Sequence, residues 1–381
     1  MYQSSFWYPT NYIDTWRPIF YLTKLLGYAP VSRENAKIQI SSMDFTFPLI
    51  AFVVYFAILC LTVLWKTSQL AASPISDTAI LDIGLNVSVL LCNITAVVIV
   101  ASNYVNRVKI CAISRGIQAI DDELIKLGHQ INYRRELVVH VTIVFATFIA
   151  QLLLYGACWV LREKYKIETL PDRVAFLYVG VTITYSVYMS NFIFIMATLE
   201  KRYKAINQTM KMYFVKKPLS LKPGLGHVCT KLAKLHDQMG DNVDAVNETF
   251  AFQINAPVAN AFIFTVFCIF QLFHLMQGPS NVGMALLTFI WNIYYTSFVI
   301  GVFYIASKLT NTGKKTAMVV HKAINLSPNS ENVDKLRVFS QQLLHRPPIV
   351  TSGFFDYNWE LFFGLLGSGT MYLIILIQFD T

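Results

Sequence analysis

The chain has 381 residues, 55% of them hydrophobic and only 14% charged, and 31 basic against 22 acidic residues give a net charge of +9. A globular domain carries about 25% charged residues, so this balance excludes an ordinary soluble enzyme, a disordered chain and a secreted disulfide scaffold. A basic excess can serve nucleic acid, but here Lys and Arg are confined to particular loops of an apolar chain, which points to a membrane protein and to no nucleic-acid partner. The six cysteines include no Cys-x-x-Cys pair, so neither a zinc ribbon nor a thioredoxin site has support. Residues 1–10 have no basic leader and no apolar core follows them, so no secretory signal is expected.

In chain order, residues 1–44 come first and hold the aromatic stretch Tyr12–Tyr28, with Trp16, Phe20, Leu22, Leu25 and Leu26. It is too short and too polar to span, and reads as an interfacial or re-entrant helix. Seven apolar runs of spanning length follow: Phe45–Trp65, Ala79–Val105, Leu137–Leu161, Val174–Leu199, Phe250–Met276, Gly283–Ala306 and Trp359–Phe379. None contains Lys or Arg, and the only acids in them are Asp82 and Glu360, both near segment ends. The expected fold is therefore all-α, a polytopic bundle of seven transmembrane helices. Residues 45–306 would hold spans 1–6, 307–358 an inner anchor helix and 359–381 the seventh span.

The stretches between alternate spans are themselves helical in pattern. Ile113, Ile117, Ile120, Leu124, Leu127 and Ile131 step by three and four after span 2, and Leu199, Tyr203, Ile206, Met210 and Tyr213 do so after span 4. The series Val228, Leu232, Leu235, Met239, Val243, Val246 and Phe250 leads into span 5, and Leu336, Phe339 and Leu343 precede span 7. Each predicts an amphipathic helix with one apolar stripe. Heptad-like spacing favours packing of these extensions into an anchor bundle over a position flat on the bilayer. Pro218, Pro223, Gly224 and Gly226 break the hairpin between spans 4 and 5.

Orientation follows from charge. Of the 31 basic residues, 26 lie before span 1 and after spans 2, 4 and 6, against 5 after spans 1, 3 and 5. The positive-inside rule puts the N-terminus in the cytosol and, with seven spans, the C-terminus outside. A G-protein-coupled receptor has the opposite sense, and the chain also lacks that class's Asp-Arg-Tyr and Asn-Pro-x-x-Tyr motifs. With this topology the sequons at Asn86, Asn93, Asn207 and Asn247 lie in a span or in the cytosol, so no glycan is expected.

Polar groups within hydrocarbon usually face a bundle interior or a wet cavity. Asp82, Asn86 and Asn93 share one face of span 2; His140, Thr147, Gln151, Tyr155 and Cys158 share one of span 3; Tyr178, Thr182 and Tyr185 share one of span 4. Span 5 ends in Gln271, His274 and Gln277, and Thr288, Trp291, Asn292 and Tyr295 share a face of span 6. Asp82, Asn86, Gln151, Tyr155, Tyr178, Thr182, Gln271, His274, Trp291 and Tyr295 all fall in the outer halves. Together they read as the lining of a pocket for a small polar or amphipathic molecule. The plainer role, polar glue between helices at about 0.6 kcal/mol per contact or an interfacial aromatic belt, stays open for each. Neither His140 nor His274 has a second ligand at metal spacing, and the chain has no P-loop, Gly-x-Ser-x-Gly or His-Glu-x-x-His. No enzyme, metal or cofactor is expected.

The seventh span stands apart. Gly364-Leu-Leu-Gly-Ser-Gly-Thr370 is small and flexible, and Met371-Tyr-Leu-Ile-Ile-Leu-Ile-Gln378-Phe379 ends the helix. Ser368, Met371, Ile375 and Gln378 share a face, suited to a narrow path with an apolar constriction and an amide at its mouth. This end resembles the signature of insect gustatory receptors, Thr-Tyr, five apolar residues, Gln-Phe. The chain matches at Tyr372, Leu373–Ile377, Gln378 and Phe379 and departs at Met371, where the family has Thr. Gly353-Phe354-Phe355-Asp356, Pro347, the length and the inverted seven-span pattern are similar to that family as well.

The resemblance implies a tastant-gated non-selective cation channel at the plasma membrane of a chemosensory neuron. It implies a homotetramer or a heteromer with related receptors, a shared cytosolic anchor, monovalent and divalent cations as permeants of the pore, and membrane lipid around the assembly. It also implies a pore lined by Met371, Ile375, Gln378 and Phe379 and ligand contacts in the outer halves of spans 2 to 6. An odorant-receptor-type subunit is the nearest alternative. A secondary transporter is the more distant one, since no internal repeat pairs the spans.

Overall fold

A computed structural model of the chain describes residues 7–29, 31–34, 37–39, 42–69, 79–165, 172–215, 225–277, 282–327 and 330–380. Among these residues, seven helices are long and apolar enough to cross a membrane. They are α3 (Thr46–Gln69), α4 (Ala79–Val105), α6 (Tyr133–Tyr165), α7 (Asp172–Phe214), α8 (Leu225–Gln277), α9 (Val282–Leu326) and α11 (Trp359–Asp380), each containing or closely matching one of the seven predicted runs. Short helices α1 (Tyr12–Thr15) and α2 (Arg17–Leu25) precede them, with α5 (Arg107–Lys126) and α10 (Ser330–His345) between. Among the described residues, β1 (Ser32–Glu34) pairs antiparallel with β2 (Lys37–Gln39).

Three spans run on past their apolar stretch as continuous helix. The longest is α8, 53 residues, which at 1.5 Å per residue extends roughly 80 Å; Pro257 lies inside it. The extensions of α7, α8 and α9 pack with α5 and α10 at one end of the bundle, called here the anchor end. The predicted stripes are the seams of this packing: Ile117, Leu124, Tyr203, Ile206, Met210, Leu232, Leu235, Met239, Leu336 and Phe339 are all buried.

Several expectations need correction. The stripe after span 2 does not continue α4. The chain breaks at Asn106 and starts a new helix, α5. That helix stops before Ile131 because Gly128, at φ +82°, takes the left-handed turn that a side chain disfavours. Its N–H donates to Ile125 O at 2.9 Å and the His129 N–H to Leu124 O at 3.0 Å. The stretch 307–358 is not one anchor helix but the tail of α9, then α10, then an extended link. A Cβ on Gly313 of α9 would meet Pro348 at 2.1 Å, so only glycine lets that link lie against the helix. The N-terminal stretch, expected as one interfacial or re-entrant helix, forms two short helices, α1 and α2. Tyr12, Ile13, Asp14, Thr15, Ile19 and Phe20 are buried in the bundle, and Trp16 packs edge-on against His140 at 4.8 Å and Phe194 at 5.6 Å.

Buried charge pins the anchor end together. Arg202 on α7 is 2% exposed. Its Nε and Nη2 donate to the two carboxylate oxygens of Asp121 on α5, both at 2.8 Å, and its Nη1 donates to Glu136 at the start of α6. Tyr12 stacks its ring under the guanidinium at 5.8 Å. Burial opposes the charge on Arg202, but its bonds to Asp121 and Glu136 prevail and hold its pKa above the usual arginine range. Lys201, 3.6 Å from Glu136, supplies the second positive charge that balances two carboxylates. One network thus ties α1, α5, α6 and α7.

Candidate functional site

At the end of the bundle away from the anchor, α6, α7 and α9 bring four of the predicted pocket residues together. Tyr155 shares a hydrogen bond with Thr182, Oη to Oγ1, at 2.8 Å, and its ring meets Trp291 edge-on at 5.4 Å. Trp291 stacks on Tyr295 at 5.7 Å. The periodicity explains the convergence: Trp291 and Tyr295 are one turn apart on α9. The cluster extends further than the sequence indicated. Tyr185 meets Tyr295 edge-on at 5.0 Å, the Tyr294 hydroxyl bonds Ser186 at 2.6 Å, and Cys92 Sγ lies 3.5 Å from Tyr295 Oη. Tyr185 was visible on the span-4 face with Thr182. Tyr294, the neighbour of Tyr295 in sequence, lies off the polar face and gave no signal.

The other predicted residues divide. Gln151 on α6 is buried, and its Nε2 has no hydrogen-bond partner among the described residues. Gln271 on α8 accepts from Thr288 Oγ1 of α9 at 2.5 Å, a link between two helices. His274 lies between Phe270 and Phe273, with ring centroids at 4.7 and 6.1 Å. Asp82 and Asn86 are half-buried in the first turns of α4, outside the contacts that bind the aromatic cluster. The side chain of Tyr178 lies outside the described residues. Asn292, from the same polar face as Trp291, donates to Thr265 at 2.8 Å and so acts as glue between α8 and α9. His140 is a core residue, stacked on Phe194 at 3.8 Å with Nε2 2.8 Å from Asn191 Oδ1. Among the described residues no group of three or more His, Cys, Asp or Glu could hold a metal ion.

The seventh span is placed differently from the rest. No residue of its apolar window is buried. It leans on α8 along one side, where Gly369 lets Phe262 and Val266 approach a would-be Cβ at 3.4 and 3.5 Å and Tyr372 meets Phe262 edge-on at 6.2 Å. Elsewhere the helix is open: Met371 is 66% exposed, Ile375 42% and Phe379 80%, and Gln378 is exposed as well. The connector into α11 is bolted to α8. Arg346 donates to Asp237, Asp241 and Asp244 at 2.7, 2.5 and 3.0 Å. Asn247 Nδ2 donates to Ile349 O at 2.8 Å, and Tyr357 Oη to Asn255 at 2.7 Å. Gly353, at φ +82°, turns the connector so that Thr351 and Asp356 form a bridge.

The model of the 7tm chemosensory receptor family matches residues 16–381. The chain belongs to that family. Among curated members, this receptor is 28% identical over 184 residues to gustatory receptor 28a of Drosophila melanogaster, covering 46% of this chain and 40% of that one. It is 28% identical over 167 residues to gustatory and pheromone receptor 33a of the same fly, covering 39% of this chain and 34% of the relative. The matched stretches therefore span about two fifths or less of these relatives. Its fold is that of the olfactory receptor OR5 of Machilis hrabei, with a TM-score of 0.70 at 12% identity, over 95% of this chain and 97% of that one. The same receptor in complex with eugenol gives a TM-score of 0.72 at 11% identity. The chain is thus a multi-pass membrane chemosensory receptor and not an enzyme.

Proposed function

We propose that this chemosensory receptor is a subunit of a ligand-gated, non-selective cation channel opened by a small-molecule tastant. In this reading the N-terminus and anchor lie in the cytosol, the C-terminus lies outside, and the membrane is the plasma membrane of a chemosensory neuron. The observation that carries the reading is α11. A helix held along one side by α8, with its other side open from Met371 to Phe379, suits a pore wall shared with further copies around an axis. Four copies would place Gln378 and Phe379 in rings, and an apolar ring closes a pore by dewetting. Monovalent and divalent cations are the permeants on this reading.

The ligand site is the aromatic cluster at the far end, with Tyr155, Thr182, Trp291 and Tyr295 as its contacts. Gln151, whose buried amide nitrogen lacks a partner among the described residues, supplies a donor that a ligand acceptor would satisfy; an unmet buried donor costs about 1–3 kcal/mol. Asp82, Asn86, Gln271, His274 and Tyr178 are further candidate contacts on this reading. The names of the Drosophila relatives favour a tastant. The stripes of the anchor are spent within one chain, so copies join through other faces. Met318, Leu326, Val338 and Leu344 on α9 and α10 are exposed apolar residues that suit such a contact.

Expression of the chain alone in oocytes, with a panel of sugars, bitter compounds and nucleosides and with calcium influx as readout, tests the proposal. Ligand-evoked current without a partner supports it. Current only with a related subunit points to an odorant-receptor-type heteromer, and saturable uptake without current points to a transporter and overturns it. A C-terminal epitope labelled only after permeabilisation would overturn the orientation.

A further inference from the structure

A second enclosure lies at the other end of the transmembrane bundle, where α4 gives way to α5 and α8 enters the anchor. It is a cavity of about 90 Å3, between the N-terminal segment, the α4–α5 break, α7 and α8. That volume is several times the roughly 10–15 Å3 that one water requires. Nothing in the channel reading uses it. Its walls are mostly apolar and rich in aromatic rings, among them Trp16, Tyr28, Tyr188, Phe192 and Phe250. These rings already meet one another at angles and separations typical of aromatic pairs, Tyr28 to Tyr188 at 5.8 Å and Phe192 to Phe250 at 5.8 Å. A further ring placed among them gains the same edge-to-face contacts.

The polar lining is sparse and largely committed. Thr23 Oγ1 donates to Phe20 O at 2.9 Å, and Ser114 Oγ donates to Ile110 O at 3.2 Å. Asn191 is held between His140 and Tyr28. Water would find few partners there, and apolar cavities that water avoids take up benzene-sized molecules. Asn103, 2% exposed, donates its amide to Ile99 O at 2.9 Å, which leaves its Oδ1 as an acceptor for a single hydroxyl. Its volume of about 90 Å3 favours a small ring over a lipid chain, which needs a tunnel of its own length.

We infer that this cavity is a second ligand site, which takes a single-ring aromatic alcohol of phenol type: the ring among Trp16, Tyr28, Tyr188 and Phe250, the hydroxyl on Asn103. It is separate from the aromatic cluster at the far end, but α7 serves both, with Thr182 and Tyr185 in the cluster and Tyr188, Asn191 and Phe192 in the cavity wall. An occupant therefore bears on the same helix from the anchor side.

The test reads binding and not current, so it succeeds or fails independently of the channel proposal. Full-length protein purified in detergent is titrated with 4-ethylphenol, followed by saturation-transfer NMR on the phenol. Wild type should bind saturably. Ser114→Phe, which places a ring in the cavity, should weaken binding at least tenfold, and Trp291→Ala at the far cluster should leave it within twofold. If Ser114→Phe does not fold, Ala29→Leu at the cavity rim takes its place with the same expectation. Binding unchanged by the filling variant, or lost with Trp291→Ala instead, overturns the inference. So does a wild-type protein that ignores the phenol while native mass spectrometry finds a bound lipid that the filling variant lacks.

Discussion

The anchor and the seventh span are built on opposite principles. In the anchor the predicted apolar stripes are buried within the one chain apart from the half-buried Ile131, Tyr213 and Val228, and even a charged side chain, Arg202, is enclosed with its partners. In α11 no residue of the apolar window is buried, although its mean hydropathy of 1.8 exceeds the 1.4 of α7, whose window is 72% buried. Hydropathy therefore does not decide burial here. Stripe geometry does: residues at steps of three and four close against neighbours of the same chain, while a helix apolar all round is left for lipid or for other copies of the subunit.

The comparison breaks first at Arg202. Arg202→Met leaves Asp121 without its cation and Glu136 with Lys201 alone, and removing one partner of a buried ion pair costs about 3–5 kcal/mol. Purified protein should lose most of its cooperative melt. A melting temperature within a few degrees of wild type would mean that water reaches the network. Leu235→Asp on α8, at 2% exposed, should be similarly damaging because it buries a charge with no partner. The loss should appear in monomers as well as in assemblies, since the stripe is intramolecular.

A second break is chemical. His236 on α8 packs between Tyr203 at 5.1 Å and Phe339 at 5.9 Å. Burial pushes its pKa down to about 4 from 6.5, against the opposing pull of Asp237 and a backbone bond at Gly313. The folded state thus resists a proton that the unfolded chain accepts. Its contribution is complete above pH 6.5 and is lost as pH falls from 6.5 toward 4, by at most about 1.4 kcal/mol per pH unit. Thermal melts across that range should show the decline, and His236→Phe should flatten it. An equal slope in the variant would assign the decline to other groups.

Three milder changes sharpen the contrast from the membrane side. Trp291→Ala removes the ring between Tyr155 and Tyr295 and should raise the half-maximal ligand concentration by about tenfold, or about 1.4 kcal/mol, while maximal current per surface channel holds. An unchanged dose response would return Trp291 to plain packing. Phe379→Ala should leave stability within about 0.5 kcal/mol, as expected of an exposed position, yet give current at rest. Gln378→Glu should favour cations by adding a ring of charge. Wild-type resting conductance and selectivity in both variants, once at the surface, would remove α11 from the pore wall.

The sequence by itself determined the spans, their number and the helical extensions, because hydropathy windows and steps of three and four are local properties of the chain. It also marked α11 as distinct through its glycines and its Gln378-Phe379 end. Tertiary structure alone decided which stripes close on which. It decided too that Tyr12, Asp121, Glu136 and Arg202, spread over 190 residues of sequence, meet in one buried network. Of the ten pocket candidates, only Tyr155, Thr182, Trp291 and Tyr295 converge in the described contacts. A shared polar face fixes a residue's direction around its own helix, but not the rotation of one helix against the next. For the same reason Asn292 became glue, the N-terminal aromatics sank into the bundle, and the cavity beside Asn103 left no trace in the sequence: it lies where five segments fail to fill one volume, and no single segment records that.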